Sequence, residues 1–156
     1  MSRAVARQEV AQRVIAHLSR RYHFSASHRL HVEALSAEEN RAVFGKCNYP
    51  FGHGHNYVVE VTVSGPVDAA TGMVTSLGDL DGFARREMLD VFDHANLNTL
   101  EVFRDCVTTT ENLCVEVWRI FSAYPHAKLE RVRIEETGKN SFEYFGGGAG
   151  ARLGVG

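Results

Sequence analysis

Residues 53–64 have the sequence HGHNYVVEVTVS, in which two histidines precede a run with an apolar or aromatic side chain at every second position. Because the side chains of a β-strand point alternately to its two faces, this pattern predicts a long strand. His53, His55 and Tyr57 would share one face with three valines, while the opposite face would be mainly polar. The predicted strand therefore carries two imidazole rings at one end of an apolar row.

A second predicted strand, residues 20–30, carries a third histidine. His28 continues a row of apolar and aromatic side chains on that strand. Three imidazoles on apolar strand faces indicate a zinc site, and three protein ligands leave a fourth position open for water or a substrate. Each histidine could instead be an ordinary core or surface group. His23 and His31 are weaker ligand candidates, because His23 points to the opposite face and His31 lies just past the strand.

Cys47 lies in the segment Gly-Lys-Cys-Asn-Tyr-Pro, six residues before the first histidine of the HxH pair. A single cysteine is most often a small buried hydrophobic residue. Here a neighbouring cation, Lys46, and a nearby metal ion would favour the thiolate, which is the reactive form. Cys47 is therefore a candidate catalytic base or nucleophile.

Asp93 and His94 follow a predicted helix of residues 80–92, which Asp79 would cap. A histidine at this position could simply interact with the negative end of the helix dipole. Alternatively, the two side chains could form a proton relay in which the carboxylate fixes the tautomer of the imidazole.

Glu136 would face inward from a predicted strand of residues 128–136. Burying a lone carboxylate is costly unless hydrogen-bond donors satisfy it, and no local donor is evident in the sequence. A ligand with a guanidine-like N–H edge, such as a pterin or a guanine, would be a bidentate partner. An interface salt bridge is the alternative.

The helix before that strand is predicted to begin near Thr108 and to end before Pro125. Thr108 and Glu111 have the spacing of a capping box. Helix capping is therefore a strong alternative to ligand binding for the two threonines that follow, Thr109 and Thr110.

The remaining pattern predicts an α+β fold. Ser36 and Glu39 have capping-box spacing and Gly45 fits a helix stop, which predicts a short helix or turn before the long strand. With a last strand at residues 141–145, the order ββααββ indicates a four-stranded antiparallel sheet with two helices on one face. The predicted organisation is an N-terminal helical extension (1–18), a single catalytic domain (20–146) and a flexible glycine-rich tail (147–156).

Composition limits the class of protein. The 156 residues are 44% hydrophobic and 23% charged with a net charge of −2, which fits one globular domain without a nucleic-acid or membrane partner. No apolar run approaches the ~20 residues that span a bilayer and no signal-peptide core is evident, so a cytoplasmic location is expected. Three cysteines without a CxxC pair argue against a disulfide framework, and eight histidines favour metal or proton chemistry.

Several of these segments, taken in order, resemble the 6-pyruvoyl-tetrahydropterin synthase family, and the similarity extends from about Tyr22 to Phe145. It covers nearly the whole chain apart from the N-terminal extension and the tail. One departure is Ser76, where many relatives carry aspartate. The segments that carry the resemblance are residues 24–30 (FSASHRL), 44–56 (FGKCNYPFGHGHN), 71–74 (TGMV), 93–97 (DHANL), 109–112 (TTEN) and 136–137 (ET).

The resemblance implies a T-fold, or tunnelling fold. Three subunits would close their sheets into a barrel, two trimers would stack into a homohexamer, and the active sites would lie at subunit interfaces. Each subunit would bind one zinc ion. The implied roles are zinc ligation by His28, His53 and His55, proton transfer by Cys47, Asp93 and His94, and anchoring of the pterin ring by Glu136 with help from Thr109 and Thr110.

The implied reaction converts 7,8-dihydroneopterin triphosphate into 6-pyruvoyl-tetrahydropterin and triphosphate, a step of tetrahydrobiopterin biosynthesis. One alternative is the related 6-carboxy-tetrahydropterin synthase of queuosine biosynthesis, which releases acetaldehyde. That enzyme usually has three residues between the cysteine and the first histidine of the pair, whereas five separate Cys47 from His53 here. An alternative of another class is a non-catalytic pterin-binding T-fold oligomer.

The residues that would contact the triphosphate are not distinguished by the sequence. Magnesium could accompany the triphosphate, although no motif indicates it. The unranked cationic candidates are Arg29, Arg41, Lys46, Arg131, Arg133 and Lys139.

Overall fold

The computed structural model describes residues 14–147, which form one five-stranded sheet with helices packed on one face. The strand order is β3-β1-β2-β4-β5. The strands are β1 (Ile15–His28), β2 (His53–Pro66), β3 (Ala95–Asn96), β4 (Lys128–Thr137) and β5 (Asn140–Tyr144). The helices are α1 (Ala37–Phe44), α2 (Leu77–Ala84), α3 (Asp90–Phe92) and α4 (Thr110–Phe121), and a π-helical segment (Arg85–Leu89) joins α2 to α3.

The two longest strands, β1 and β2, pair antiparallel along their whole length. Ile15 lies opposite Pro66 at one end and His28 lies opposite His53 at the other. The predicted N-terminal helical extension (1–18) is therefore wrong for residues 15–18, because their backbone pairs with residues 63–66 of β2. Residues 1–13 of that predicted extension and nearly all of the predicted glycine-rich tail lie outside the described residues.

The predicted α+β architecture is confirmed, with one addition. The two-residue strand β3 pairs in parallel with β1, with Ala95 opposite Ala26 and Asn96 opposite Ser27. The remaining pairs in the sheet are antiparallel, as predicted. A strand of two residues is too short to show a period of two in the sequence, which explains why it was not predicted.

The N-cap residue was predicted correctly for one helix, and for two other helices the N-cap is a different residue from the predicted one. Ser36 and Glu39 form the predicted capping box of α1. The cap of α2 is Ser76, whose hydroxyl accepts a hydrogen bond from the backbone N–H of Asp79, so the predicted cap at Asp79 is wrong. The cap of α4 is Thr109, which accepts from Asn112. Thr108 is instead buried and donates to the carbonyl oxygen of Arg29.

The hydrophobic core lies between the helices and one face of the sheet. Its centre on the sheet side is formed by the buried residues Val59, Val61, Val132 and Ile134. The members of the same core cluster that lie on the helices and the π-helical segment include Leu80, Met88, Phe92, Leu113, Val117 and Phe121. Because side chains alternate along β1 and β2, the three histidines extend this same row beyond its apolar part.

The opposite face of the sheet is charged. Arg131 pairs with Glu60 and Glu143, and Arg133 pairs with Glu135. Within residues 14–147, no helix is long and apolar enough to cross a membrane.

Candidate metal centre and active site

The imidazoles of His28, His53 and His55 converge on one point. One ring nitrogen from each lies within 4.8 Å of those of the other two, and His28 Nε2 is 3.1 Å from His53 Nε2. Tetrahedral zinc with Zn–N bonds of about 2.0–2.1 Å needs ligand atoms roughly 3.3 Å apart. The three side chains predicted from the sequence therefore lie close to the arrangement that a metal ion requires.

The hydrogen bonding of the histidines also fits a metal site. His28 is buried and its Nδ1 lies 2.6 Å from the carbonyl oxygen of Thr108, so Nδ1 donates and Nε2 is left with a free lone pair. This carbonyl contact is the usual support of a ligating histidine. The buried His55 Nε2 has no hydrogen-bond partner within residues 14–147, and a cation between the rings would satisfy it.

The protonation of these rings favours metal binding. Burial lowers the pKa of His28 and of His55 below the ordinary histidine value. Both rings are therefore neutral near pH 7, which is the form that ligates metals. His23 and His31, the weaker candidates, lie outside the cluster, and His31 instead contacts Asn48 and Glu33.

Gly52 allows the two histidine-bearing strands to approach each other. Its φ is 71°, and a Cβ built at this position would lie 2.9 Å from the carbonyl oxygen of His28. That separation is shorter than real Cβ contacts allow, so any side chain here would push β2 away from the end of β1.

Glu136 lies beside the histidine cluster. One of its oxygens, Oε1, is 3.7 Å from His28 Nε2 and 3.6 Å from His55 Nε2. Thr110 donates to Oε1 at 2.6 Å and Asn140 donates to Oε2 at 2.9 Å. The expectation that no local donor serves this carboxylate is therefore wrong.

The charge state of Glu136 follows from these contacts. Burial alone would raise its pKa, but the hydrogen bonds from Thr110 and Asn140 and the neighbouring imidazoles lower the pKa below the ordinary value. Glu136 is therefore an ionised carboxylate at neutral pH. A carboxylate beside a metal position is a suitable acceptor for an N–H edge of a ligand.

Cys47 lies in a 3₁₀ turn (Gly45–Asn48) beside the cluster. Its carbonyl oxygen accepts a hydrogen bond from the backbone N–H of Leu30, which ties the turn to the chain just beyond β1. Burial, with a smaller contribution from the charge of Glu136, raises the pKa of the Cys47 thiol. The protein atoms alone therefore do not favour the thiolate, in contrast to the expectation from Lys46.

Asp93 and His94 form a pair held against β1. The carboxylate of Asp93 lies 3.0 Å from His94 Nδ1 and accepts a hydrogen bond from the backbone N–H of Ser25. The backbone N–H of His94 donates to the carbonyl oxygen of Ser25. His94 is 83% exposed and has a φ of 59°, so this imidazole is fixed by the backbone and open to solvent.

In the part of the chain that the structure describes, Cys47 makes no direct polar contact with this pair. Within residues 14–147, no hydrogen bond or ion pair joins Cys47 to Asp93 or His94. His94 lines a cleft with Asn56 and with His55, one of the clustered histidines. Within the described residues, the predicted proton-transfer group is thus not joined by direct polar contacts in one chain.

A family model described as 6-pyruvoyl tetrahydropterin synthase matches residues 17–147. The chain belongs to this family. The human protein named 6-pyruvoyl tetrahydrobiopterin synthase is 47% identical over 137 residues, which cover 86% of this chain and 94% of the human one. The resemblance inferred from the sequence motifs is therefore confirmed.

One solved structure of a relative supports the fold, and another relative is named for a different pterin synthase activity. The solved structure of the Caenorhabditis elegans 6-pyruvoyl tetrahydropterin synthase has a TM-score of 0.81 and 42% identity, covering 86% of this chain and 97% of that one. A putative 6-carboxy-5,6,7,8-tetrahydropterin synthase of Archaeoglobus fulgidus is 40% identical over 87 residues, 54% of this chain and 67% of that protein.

Three contributors to the site were not predicted from the sequence. Asn140 binds Glu136 because the tight β4–β5 turn brings it back beside the end of β4. The backbone of Ser25 holds the Asp93–His94 pair, and the carbonyl of Thr108 fixes His28. The turn signal around Gly138 could have indicated the position of Asn140. The contacts of Ser25 and Thr108 use backbone atoms, so the residue types at those positions do not reveal them.

Proposed function

We propose that the chain is a zinc-dependent 6-pyruvoyl-tetrahydropterin synthase that converts 7,8-dihydroneopterin triphosphate into 6-pyruvoyl-tetrahydropterin and triphosphate for tetrahydrobiopterin biosynthesis. The observation that carries the proposal is the three-histidine cluster with ionised Glu136 beside it. The identity to relatives that are named for this activity gives independent support.

The proposed metal ligands are His28, His53 and His55, with one zinc ion per subunit. Neutral imidazoles and an open fourth position suit a catalytic zinc site. Zinc bound there would supply Lewis acidity, which polarises the side-chain hydroxyls of a pterin and acidifies the neighbouring C–H bonds. Magnesium would enter only with the triphosphate of the substrate.

Glu136 would bind and orient the pterin ring. Thr110 and Asn140 hold its carboxylate in one position, so the N–H edge of the ring would meet a fixed acceptor. Thr110 would contribute to pterin binding indirectly, by holding the carboxylate of Glu136. Thr109, which caps α4, would help to anchor the pterin ring.

Cys47 would remove or return a proton on one side of the substrate side chain. His94, oriented by Asp93, would do the same on the other side. Because no hydrogen bond or ion pair joins Cys47 to this pair within residues 14–147, we propose that the complete site forms between subunits of a homohexamer built as a dimer of trimers. Barrel closure would also cover the edge strand β5, which the described residues leave unpaired on one side.

Metal removal tests this function. The metal-free protein should form no product from 7,8-dihydroneopterin triphosphate, and one zinc equivalent per chain should restore product formation. Full activity after removal of all metal would refute the zinc-dependent mechanism. The 6-carboxy-tetrahydropterin synthase alternative is separated by its products, because that reaction releases acetaldehyde.

A further inference from the structure

A cleft of about 520 Å³ lies beside the metal centre. It is formed by α1, the 3₁₀ turn that carries Cys47 and the chain that leads into β2. One of its lining residues is His53, so the cleft and the histidine cluster are contiguous.

Among the residues that the structure describes, three cations line this cleft and no carboxylate does. Arg29, Arg41 and Lys46 belong to its lining, and none of them forms an ion pair within residues 14–147. The guanidinium of Arg29 is oriented by a hydrogen bond of 3.1 Å from its Nε to the carbonyl oxygen of Asn48. Three cations of like charge around one cavity repel each other unless an anion binds between them.

Of the other cationic candidates, Lys139 does not belong to the lining of this cleft, and two are already paired with carboxylates. Arg131 and Arg133 form ion pairs with glutamates on the opposite face of the sheet. A second cleft that also includes Arg29 contains Arg104, but Arg104 pairs with Glu101 there. Uncompensated positive charge next to the histidines is therefore found at the first cleft.

We propose that Arg29, Arg41 and Lys46 form an oligophosphate subsite, which holds the triphosphate of the substrate beside the metal centre. The inference rests on the proposed function for the identity of the ligand. Glu136 approaches the cluster next to His28 and His55, whereas the cleft reaches it through His53. A pterin bound at Glu136 with its side chain at the histidines thus directs its phosphates into the cleft.

Binding of inorganic tripolyphosphate to the zinc-loaded full chain tests the subsite. Isothermal titration would compare the wild type with Arg41→Gln and Lys46→Gln, two exposed positions whose replacement leaves the core intact. Each variant should bind tripolyphosphate about 5- to 10-fold more weakly, because each loses one charge-assisted contact. Zinc content measured before and after titration would control for chelation of the metal by tripolyphosphate.

The control is Arg85→Gln, which removes an exposed arginine of the π-helical segment and should leave binding unchanged. Lys46→Arg keeps the charge and should retain binding within about 2-fold. Unchanged binding in both Arg41→Gln and Lys46→Gln would overturn the proposal.

The titration does not depend on turnover, so it separates this inference from the proposed function. Arg41→Gln and Lys46→Gln should bind unphosphorylated 7,8-dihydroneopterin as tightly as the wild type. An equal loss for both ligands would place the ring in the cleft and refute the subsite. If tripolyphosphate binding depends on Arg41 and Lys46 but the protein forms no pyruvoyl product, the subsite is supported and the proposed reaction is refuted.

Discussion

Replacing Glu136 with glutamine should weaken binding of the pterin and leave metal binding intact. The substitution preserves the shape of the side chain but removes its negative charge. In the structure, Asn140 donates to Oε2 and Thr110 donates to Oε1. A glutamine amide presents one oxygen and one NH₂ group, so either Asn140 loses its acceptor or the Thr110 hydroxyl must turn to accept.

The size of the effect follows from the lost charge. A hydrogen bond to a charged group contributes about 1.5–3 kcal/mol, which corresponds to roughly a 10- to 150-fold change in an equilibrium constant. The side chain of Glu136 is only 16% exposed, so solvent screens this contribution weakly. We therefore expect kcat/KM for 7,8-dihydroneopterin triphosphate to fall about 10- to 150-fold.

The assay is steady-state kinetics together with metal analysis of the same preparation. Glu136 lies 3.6–3.7 Å from the histidine nitrogens and is not one of the three proposed ligands, so zinc content should stay at one per chain. Glu87→Gln, an exposed carboxylate in the π-helical segment, is the matched control and should behave as the wild type. A kcat/KM within twofold of the wild type in Glu136→Gln would refute the role of this carboxylate.

The other predictions concern the metal ligands, the thiol and the effect of pH. Cys47→Ala should keep zinc and pterin binding but lose turnover, measured by metal analysis, pterin titration and product formation; near-normal turnover would remove Cys47 from the mechanism. His53→Ala should lose zinc on dialysis, and full occupancy would overturn the ligand assignment. Gly52→Ala should weaken zinc retention and lower the melting temperature, because its Cβ would meet the His28 carbonyl; an unchanged melting curve would contradict this. Since burial lowers the pKa of His28 and His55 in the folded protein, the unfolded chain takes up protons first as pH falls, so the melting temperature of the metal-free protein should fall as pH drops below about 6.5. A constant melting temperature between about pH 7.5 and 5.5 would contradict the assigned burial of these rings.

The parts of the fold that follow from local pattern were predictable from the sequence. The alternation of residues 53–64 defines β2, and it places His53 and His55 on the core face. The capping box at Ser36 is likewise a short-range interaction between neighbouring residues. Both features depend on side chains close in sequence, so the residue types are enough to reveal them.

Features that depend on distant pairing were missed. Residues 15–18 have apolar spacing that also fits a helix, and only the partner strand decides that they extend β1. The short strand β3 exists because Asp93 and His94 attach the chain to Ser25. Neither effect can be deduced from local periodicity, because the stabilising contacts are between segments far apart in sequence.

The site was predictable in its residue types but not in its electrostatics. The three histidines, Cys47 and Glu136 were identified from their positions on strands or in a turn. Their environments were not, since the donors to Glu136 come from a helix start and a turn. Burial likewise reverses the expected direction for the pKa of Cys47.

The most direct test of the proposed function is product analysis. The zinc-loaded protein would be incubated anaerobically with 7,8-dihydroneopterin triphosphate, and the products would be identified by mass spectrometry. The proposed activity predicts 6-pyruvoyl-tetrahydropterin together with released triphosphate. A 6-carboxy product with acetaldehyde, or unchanged substrate, would contradict it.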